Sequence, residues 1–431
     1  MSNKEDAGIK YPKILVCTVN SWNSKIGDNT FPSLLKDFPK ENIASLFIRE
    51  DMPDFLITEN YFRISEIKVL RSIFSNNEKV GEYVVSNVES EKQNDQRNMY
   101  NRKKHFYYTK MTCREIVWKL GKWKNTNLNS FIDDYAPDIV IYEMSRYIHL
   151  NNIVMYILKR TGAKGIGCFW DDTFTYKQSK KIPYKIFRFF QRRNLQKLAK
   201  NTASFFSISE KTKLEADEYF NINSTILTKP INNTNIECNK ISNISLPISL
   251  LYTGNLGIGR LDALELLIKS IKKYNEDNII FKLDIYTNTY IEDKLLQKLE
   301  CSYVCFHKSI PQEEVVKKQK ESDVLIFLES FDENNKMARL SFSTKITDYY
   351  SAGKCILALG NEDLASIYLF IKNDSAIVVT NENEIINALK KLENVDVINE
   401  YSEKSYLCGK NNHSKEMIND TFKKILFNIQ K

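Results

Sequence analysis

The chain has 431 residues, 42% hydrophobic and 27% charged, with a formal net charge of +8. This is globular composition for a chain of two domains or three, and it excludes a disordered or fibrous protein. No run of about 18 apolar residues occurs, which excludes a membrane-spanning helix, and the opening MSNKEDAGIKYPK lacks the apolar segment of a secretory signal, so the expected location is the cytoplasm.

From the N-terminus, apolar runs of strand length alternate with longer helical patterns. The strands expected are 13 to 19 (KILVCTV), 43 to 48 (IASLFI), 138 to 143 (DIVIYE), 164 to 170 (KGIGCFW) and 203 to 208 (ASFFSI). Helices are expected over 147 to 161 and 184 to 200, and this βαβ alternation predicts a parallel sheet covered by helices. The polar stretch 74 to 104 reads as one long mobile loop. Residues 177 to 200 hold nine Lys or Arg and no acid, interleaved with Ile182, Ile186, Phe187, Phe189 and Phe190. The apolar positions there form no single stripe, so the segment fits either a solvated helix face or an interfacial segment on an anionic membrane.

After Pro230 the composition changes. Residues 232 to 247 are rich in Asn and Ser and read as a linker between a first domain, 1 to 231, and a second, 248 to 431. The second domain repeats the alternation. Strands are expected at ISLLYT, IIFKLDIY, SYVCF, DVLIFL and KCILAL, with helices from about 260, over 291 to 299, from Pro311 and over 344 to 352.

Eight cysteines are scattered through apolar runs and read as small buried hydrophobes. The close pair Cys301 and Cys305 has no second pair at metal-ligand spacing, and the four histidines form no HExxH. Neither a metal nor a cofactor is expected.

Two segments carry the chemistry. In TGNLGIGR a strand ends in three glycines, Gly254, Gly257 and Gly259, before a helix that opens on Arg260; backbone amides and a helix N-terminus there can converge on an anion. The stretch lacks the GK[ST] of a P-loop and the spacing of GxGxxG, and by itself it also fits a tight turn. In SFSTKITDYYSAGKCILALG, Lys345 and Asp348 are three residues apart near a helix start. They suit a diphosphate and a ribose diol, although by themselves they read first as a surface ion pair.

Together the two segments resemble the C-terminal half of GT-B glycosyltransferases of the large bacterial family 4 (group 1), over residues 250 to 360. Gly254, Asn255 and Leu256 stand at the family's G-R-L turn, Arg260 at its following Lys, and Asp348 at the ribose-binding Glu. Leu340 stands where the family has a first glutamate, a place that Glu329, Asp332 or Glu333 would have to fill. The resemblance implies an α/β protein of two Rossmann-like domains facing each other across a cleft, with the last helix crossing back to the first domain.

It also implies transfer of a sugar from a UDP- or GDP-sugar to a glycan or lipid-linked acceptor in bacterial surface polysaccharide synthesis, with retention of configuration. The implied donor set is Gly254, Asn255, Gly257, Ile310, Ser343, Thr344 and Asp348, with Arg260 and Lys345 as the catalytic cations. In the first domain Gly27, Asn29 and Thr30 match the family's first loop, though they also serve as a plain helix start. GCFWDDTF resembles its strand ending in His-Asp, which makes Asp171 a candidate base, and SISEKTK, with Ser209, resembles a later strand-to-helix turn. Asp171 and Asp172 make no DxD metal motif. A nucleotide-sugar epimerase of the same fold is the alternative enzyme. A basic nucleic-acid-binding protein is the alternative of a different class, but no helix-turn-helix, RRM or KH signature is present, so a nucleic-acid partner is not expected.

Overall fold

The computed structural model describes residues 11–23, 30–86, 107–231, 242 and 245–430. The chain packs as two units. One runs to Ser207 and adds Lys213–Leu227 and the residues from Asn419 onward; the other comprises Ile208–Thr212 and Thr228–Ile418. Most of the 232 to 247 segment, together with Gly27 and Asn29, lies outside the described residues.

In the first unit the described strands are β1 (Ile14–Thr18), β2 (Ile43–Phe47), β3 (Asn60–Arg63), β4 (Glu82–Val84), β5 (Ile139–Glu143), β6 (Lys164–Phe169), β7 (Ser204–Ser207) and β8 (Thr225–Ile226). They form one sheet in the order β4-β3-β2-β1-β5-β6-β7-β8. Only β4 runs antiparallel to its neighbour. β1 and β2 are buried along their whole length, which is why they are continuously apolar rather than alternating: helices cover both faces. Phe422, near the C-terminus, packs its ring on Phe38 and Phe206 at centroid distances of 6.0 and 5.9 Å and so belongs to this core.

The stretch expected as a loop from 74 to 104 contains β4. Burial works against the Glu82 carboxyl, but Lys68 and Arg63 at 2.6 and 2.7 Å hold it below the usual carboxylate range and pin this edge strand to β3. Residues 87 to 104 lie outside the described residues. Cys113 is a second correction. It is exposed on the helix Tyr107–Leu120, whereas Cys17, Cys168, Cys355 and Cys408 are buried.

In the second unit the described strands are β9 (Ile248–Thr253), β10 (Phe281–Tyr286), β11 (Val304–His307), β12 (Val324–Leu328), β13 (Cys355–Leu359) and β14 (Ile377–Val379), all parallel. Their order is β11-β10-β9-β12-β13-β14. The helix Arg260–Tyr274 buries Ala263, Leu264, Leu267, Ile268 and Ile271, one face at 3.6-residue spacing, against this sheet. Both sheets reverse strand order beside their first strand, at β1/β5 and at β9/β12. At such a switch point the connections leave in opposite directions, so the carboxyl ends of the two strands frame a crevice.

Candidate functional site

The crevice of the second unit is framed by the turn after β9 and by Glu329 after β12. Gly254 adopts φ +133°, and a Cβ there would lie 2.3 Å from both Cε and Nζ of Lys345. A glycine is favoured because L residues rarely adopt this φ, and any side chain would also push the lysine tip aside. The Gly254 amide donates to Tyr286 O at 2.9 Å, and the Leu256 amide to Thr289 Oγ1 at 2.8 Å. Asn255 Oδ1 accepts from the Gly257 amide at 2.6 Å. Ile258 and Gly259 follow with φ +59° and +78°. For a β-branched residue that conformation is strained by about 1–3 kcal/mol.

Asn335 holds the Ile258 carbonyl at 2.8 Å. Among the described residues the amides of Ile258 and Gly259 have no hydrogen-bond partner. They precede the N-terminus of a 15-residue helix. Consecutive unpaired amides at a helix start are a concave anion receptor.

Two cations border this turn, and they are held differently. Arg260 Nη2 and Nε donate to the two Glu329 carboxylate oxygens at 2.9 and 3.2 Å, and Nε is also 3.2 Å from Leu328 O. The Glu329 side chain is only 4% exposed. Burial alone would lower the Arg260 pKa; the carboxylate outweighs it and keeps the guanidinium protonated. Among the described residues Lys345 has no such partner at close range. Its Nζ donates to Tyr252 OH at 3.0 Å and sits 4.4 Å from that ring's centroid. Burial and the neighbouring Arg260 charge bring its pKa down to about 7, against a smaller opposing pull from Glu329 and Asp348.

Asp348, expected to face a ribose, is bound to Lys229 at 3.0 Å. Thr344 is the N-cap of the helix Lys345–Ala352, and the Ser343 carbonyl accepts from Ile346 N at 3.0 Å. Ile310 is half-buried in the connection after β11. Leu340 is fully buried and its carbonyl accepts from Thr212 Oγ1, so that position is core. Of the three acids considered for its role, Glu329 grips Arg260, while Asp332 braces a turn through Asn334 N. Tyr252, Lys229, Thr289 and Asn335 were not picked out from the sequence. Only an acid directly after the apolar run VLIFL hinted at the ion pair, because a carboxylate there must find a buried partner.

In the first unit Thr30 opens the helix Thr30–Leu35. Trp170 meets Phe31 edge to face at 5.6 Å. The neighbouring acids differ in role. Asp171 faces Arg146 at 3.6 Å with both side chains about two-fifths exposed, a pair worth little energy. Asp172 is buried and caps its own turn through Thr175 N at 3.0 Å and the Thr175 hydroxyl. Ser209, in the second unit, likewise caps locally, through Thr212 N. Among the described residues no cluster of His, Cys, Asp or Glu could hold a metal ion.

The basic-aromatic segment forms the helix Ile182–Ala199 with two apolar faces rather than one. Tyr184, Phe187, Leu195 and Leu198 are buried. Ile182, Ile186, Phe189 and Phe190 remain 72, 56, 43 and 58% exposed. Lys181, Lys185, Arg193 and Lys197 are exposed along the same helix. No described helix is long and apolar enough to cross a membrane.

No protein-family profile matches the chain, and no curated protein is significantly similar in sequence. Solved structures are similar over nearly the whole length. A glycosyltransferase from Rickettsia africae aligns at TM-score 0.58 and 13% identity, covering 98% of this chain and 100% of that one. A lipopolysaccharide outer core galactosyltransferase in its apo form aligns at 0.58 and 12%, covering 96% and 99%. A trehalose-6-phosphate structure from E. coli, bound with UDP-2-fluoro glucose, aligns at 0.57 and 10%, covering 97% and 99%. At such identities the likeness establishes the fold: two parallel-sheet α/β domains, as in GT-B glycosyltransferases.

Proposed function

We propose that this chain is a glycosyltransferase that moves a sugar from a UDP- or GDP-sugar to a hydroxyl of a glycan or lipid-linked acceptor, in surface polysaccharide synthesis. The observation that carries the reading is the Lys345 amine laid on Gly254, at the sheet's switch point, in the unit that also presents the unpaired Ile258 and Gly259 amides. When the bond from the anomeric carbon to the diphosphate oxygen breaks, its electron pair stays on that oxygen. Fixed amides and a protonated Lys345 meet this charge with no reorganisation, which is worth several kcal/mol. Arg260, its Nε and Nη2 committed to Glu329, contributes its remaining donors. Asp348 turns from Lys229 toward the ribose. In the retaining course the acceptor oxygen bonds to the anomeric carbon and its proton passes to the leaving phosphate oxygen; Asp171 positions the acceptor.

UDP or GDP is expected to raise the melting temperature, since a ligand of the folded state stabilises it by mass action. Gly254→Ala is expected to abolish that rise, because the added methyl displaces the lysine and L residues avoid this φ. A thermal-shift series in which no nucleotide stabilises the wild-type protein would refute the assignment.

The same reading gives the Ile182–Ala199 helix an anionic membrane as partner, at the cytoplasmic face. Four large exposed apolar side chains among cations match the two attractions that hold an interfacial helix. Cosedimentation with vesicles containing 30% phosphatidylglycerol is expected for the wild-type protein and lost in Ile186→Asp/Phe190→Asp, whose response to UDP stays intact. Equal partition of both proteins would remove the membrane from the account.

A further inference from the structure

The first unit contains a cleft of about 610 Å³ at the carboxyl ends of β1 and β2, lined by Arg49, Asp51, Glu66 and Arg114 together with apolar residues including Ile67 and Leu70. Its lining carries two guanidiniums, Arg49 and Arg114, and three carboxylates, Glu50, Asp51 and Glu66. Asp51 accepts from the amide and hydroxyl of Ser21, each at 2.6 Å. Glu50 accepts from Ser65 and lies 3.7 Å from Arg63. Glu66 is paired with Arg114 at 2.6 Å. Each acid of the cleft therefore already has donors.

Arg49 is the exception. Among the described residues it has no carboxylate partner; its Nη2 reaches only the Tyr147 hydroxyl, at 3.2 Å. The guanidiniums of Arg49 and Arg114 lie 5.9 and 5.5 Å from the same Tyr147 ring centroid, so the ring orients two forks without neutralising either. A fixed planar guanidinium that lacks an anion, beside an apolar wall, is a receptor for a bidentate oxyanion on a larger molecule.

We propose that this cleft binds the acceptor by an anionic group, a phosphate or a carboxylate, seated on Arg49, which Tyr147 orients, while the acceptor's apolar faces rest on Ile67 and Leu70. This rests on the glycosyltransferase reading and narrows it: the acceptor is charged, and Arg49 selects it.

The test uses the full chain with its donor site filled by saturating UDP. Crystals soaked in tungstate, an oxyanion with a strong anomalous signal, are expected to show a peak within hydrogen-bond reach of Arg49. In solution, glucose 1-phosphate or glucuronate is expected to bind at least tenfold more tightly than glucose, and whichever binds better identifies the group. Arg49→Gln, which keeps a donor and removes the charge, is expected to erase that preference and leave UDP affinity unchanged. If UDP binds but tungstate avoids the cleft, or glucose binds as well as both anions, this proposal fails and the donor assignment stands. If UDP itself does not bind, the failure lies in the glycosyltransferase reading.

Discussion

Arg260→Ala is expected to lose about 3–5 kcal/mol of stability, the usual cost of leaving one member of a buried ion pair alone. Glu329 is 4% exposed and takes two hydrogen bonds from that guanidinium. Turnover is expected to fall at least tenfold as well, about 1.4 kcal/mol in barrier, because the turn that carries the unpaired amides loses its anchor to β12. Urea unfolding separates the two effects. Arg260→Met/Glu329→Met replaces the pair by apolar groups of similar length and is expected to recover most of the stability and none of the rate. Wild-type unfolding midpoints and rates in Arg260→Ala would show that the pair does nothing at this site.

The same pair shows how far a sequence can be read. The turn itself was legible, since glycines between an apolar strand and a helical pattern say that something approaches the backbone closely. That Arg260 would be gripped by Glu329, 69 residues on, was not, because only the adjacency of β9 and β12 in the sheet joins them. Several strands found from sequence, β1, β2, β12 and β13, are buried along their whole length, and their apolar runs have no other reading, though β14, equally apolar, was missed because it is only three residues long. β3, β4 and β8 escaped for the opposite reason: NYFR, EYV and TI are short and mixed, and they hold their places by edge pairing and, for β4, by ion pairs at Glu82. In the Ile182–Ala199 helix two apolar faces, one buried and one exposed, overlaid each other and erased the single stripe that periodicity looks for. Lys229 was invisible as well: its contact with Asp348 spans 119 residues, and a lysine before a proline carries no local signal.

Lys345→Met is expected to move stability and activity in opposite directions. The amine's pKa is brought down from 10.5 to about 7 by burial and by Arg260, so the unfolded chain holds a proton that the folded chain rejects. That penalty is absent above about pH 10.5, grows as pH falls, and is complete below about pH 7. At roughly 1.4 kcal/mol per pKa unit its upper bound near neutrality is about 5 kcal/mol. Methionine fills the same space without the charge, so the variant is expected to be the more stable protein at pH 7 and to lose the wild-type gain in stability between pH 7 and 10. Turnover at pH 7 is expected to drop about a hundredfold, roughly 2.7 kcal/mol, because on the proposed function the group removed is the cation that meets the departing diphosphate. On the proposed function, a bound diphosphate restores the proton of this amine. UDP affinity should therefore weaken as pH rises above 7 in the wild type and stay flat in the variant, and calorimetry in two buffers of different ionisation enthalpy should find proton uptake in the first alone. A variant with wild-type turnover, or a wild-type affinity that ignores pH between 7 and 9, would mean that the phosphates lie elsewhere than against Gly254.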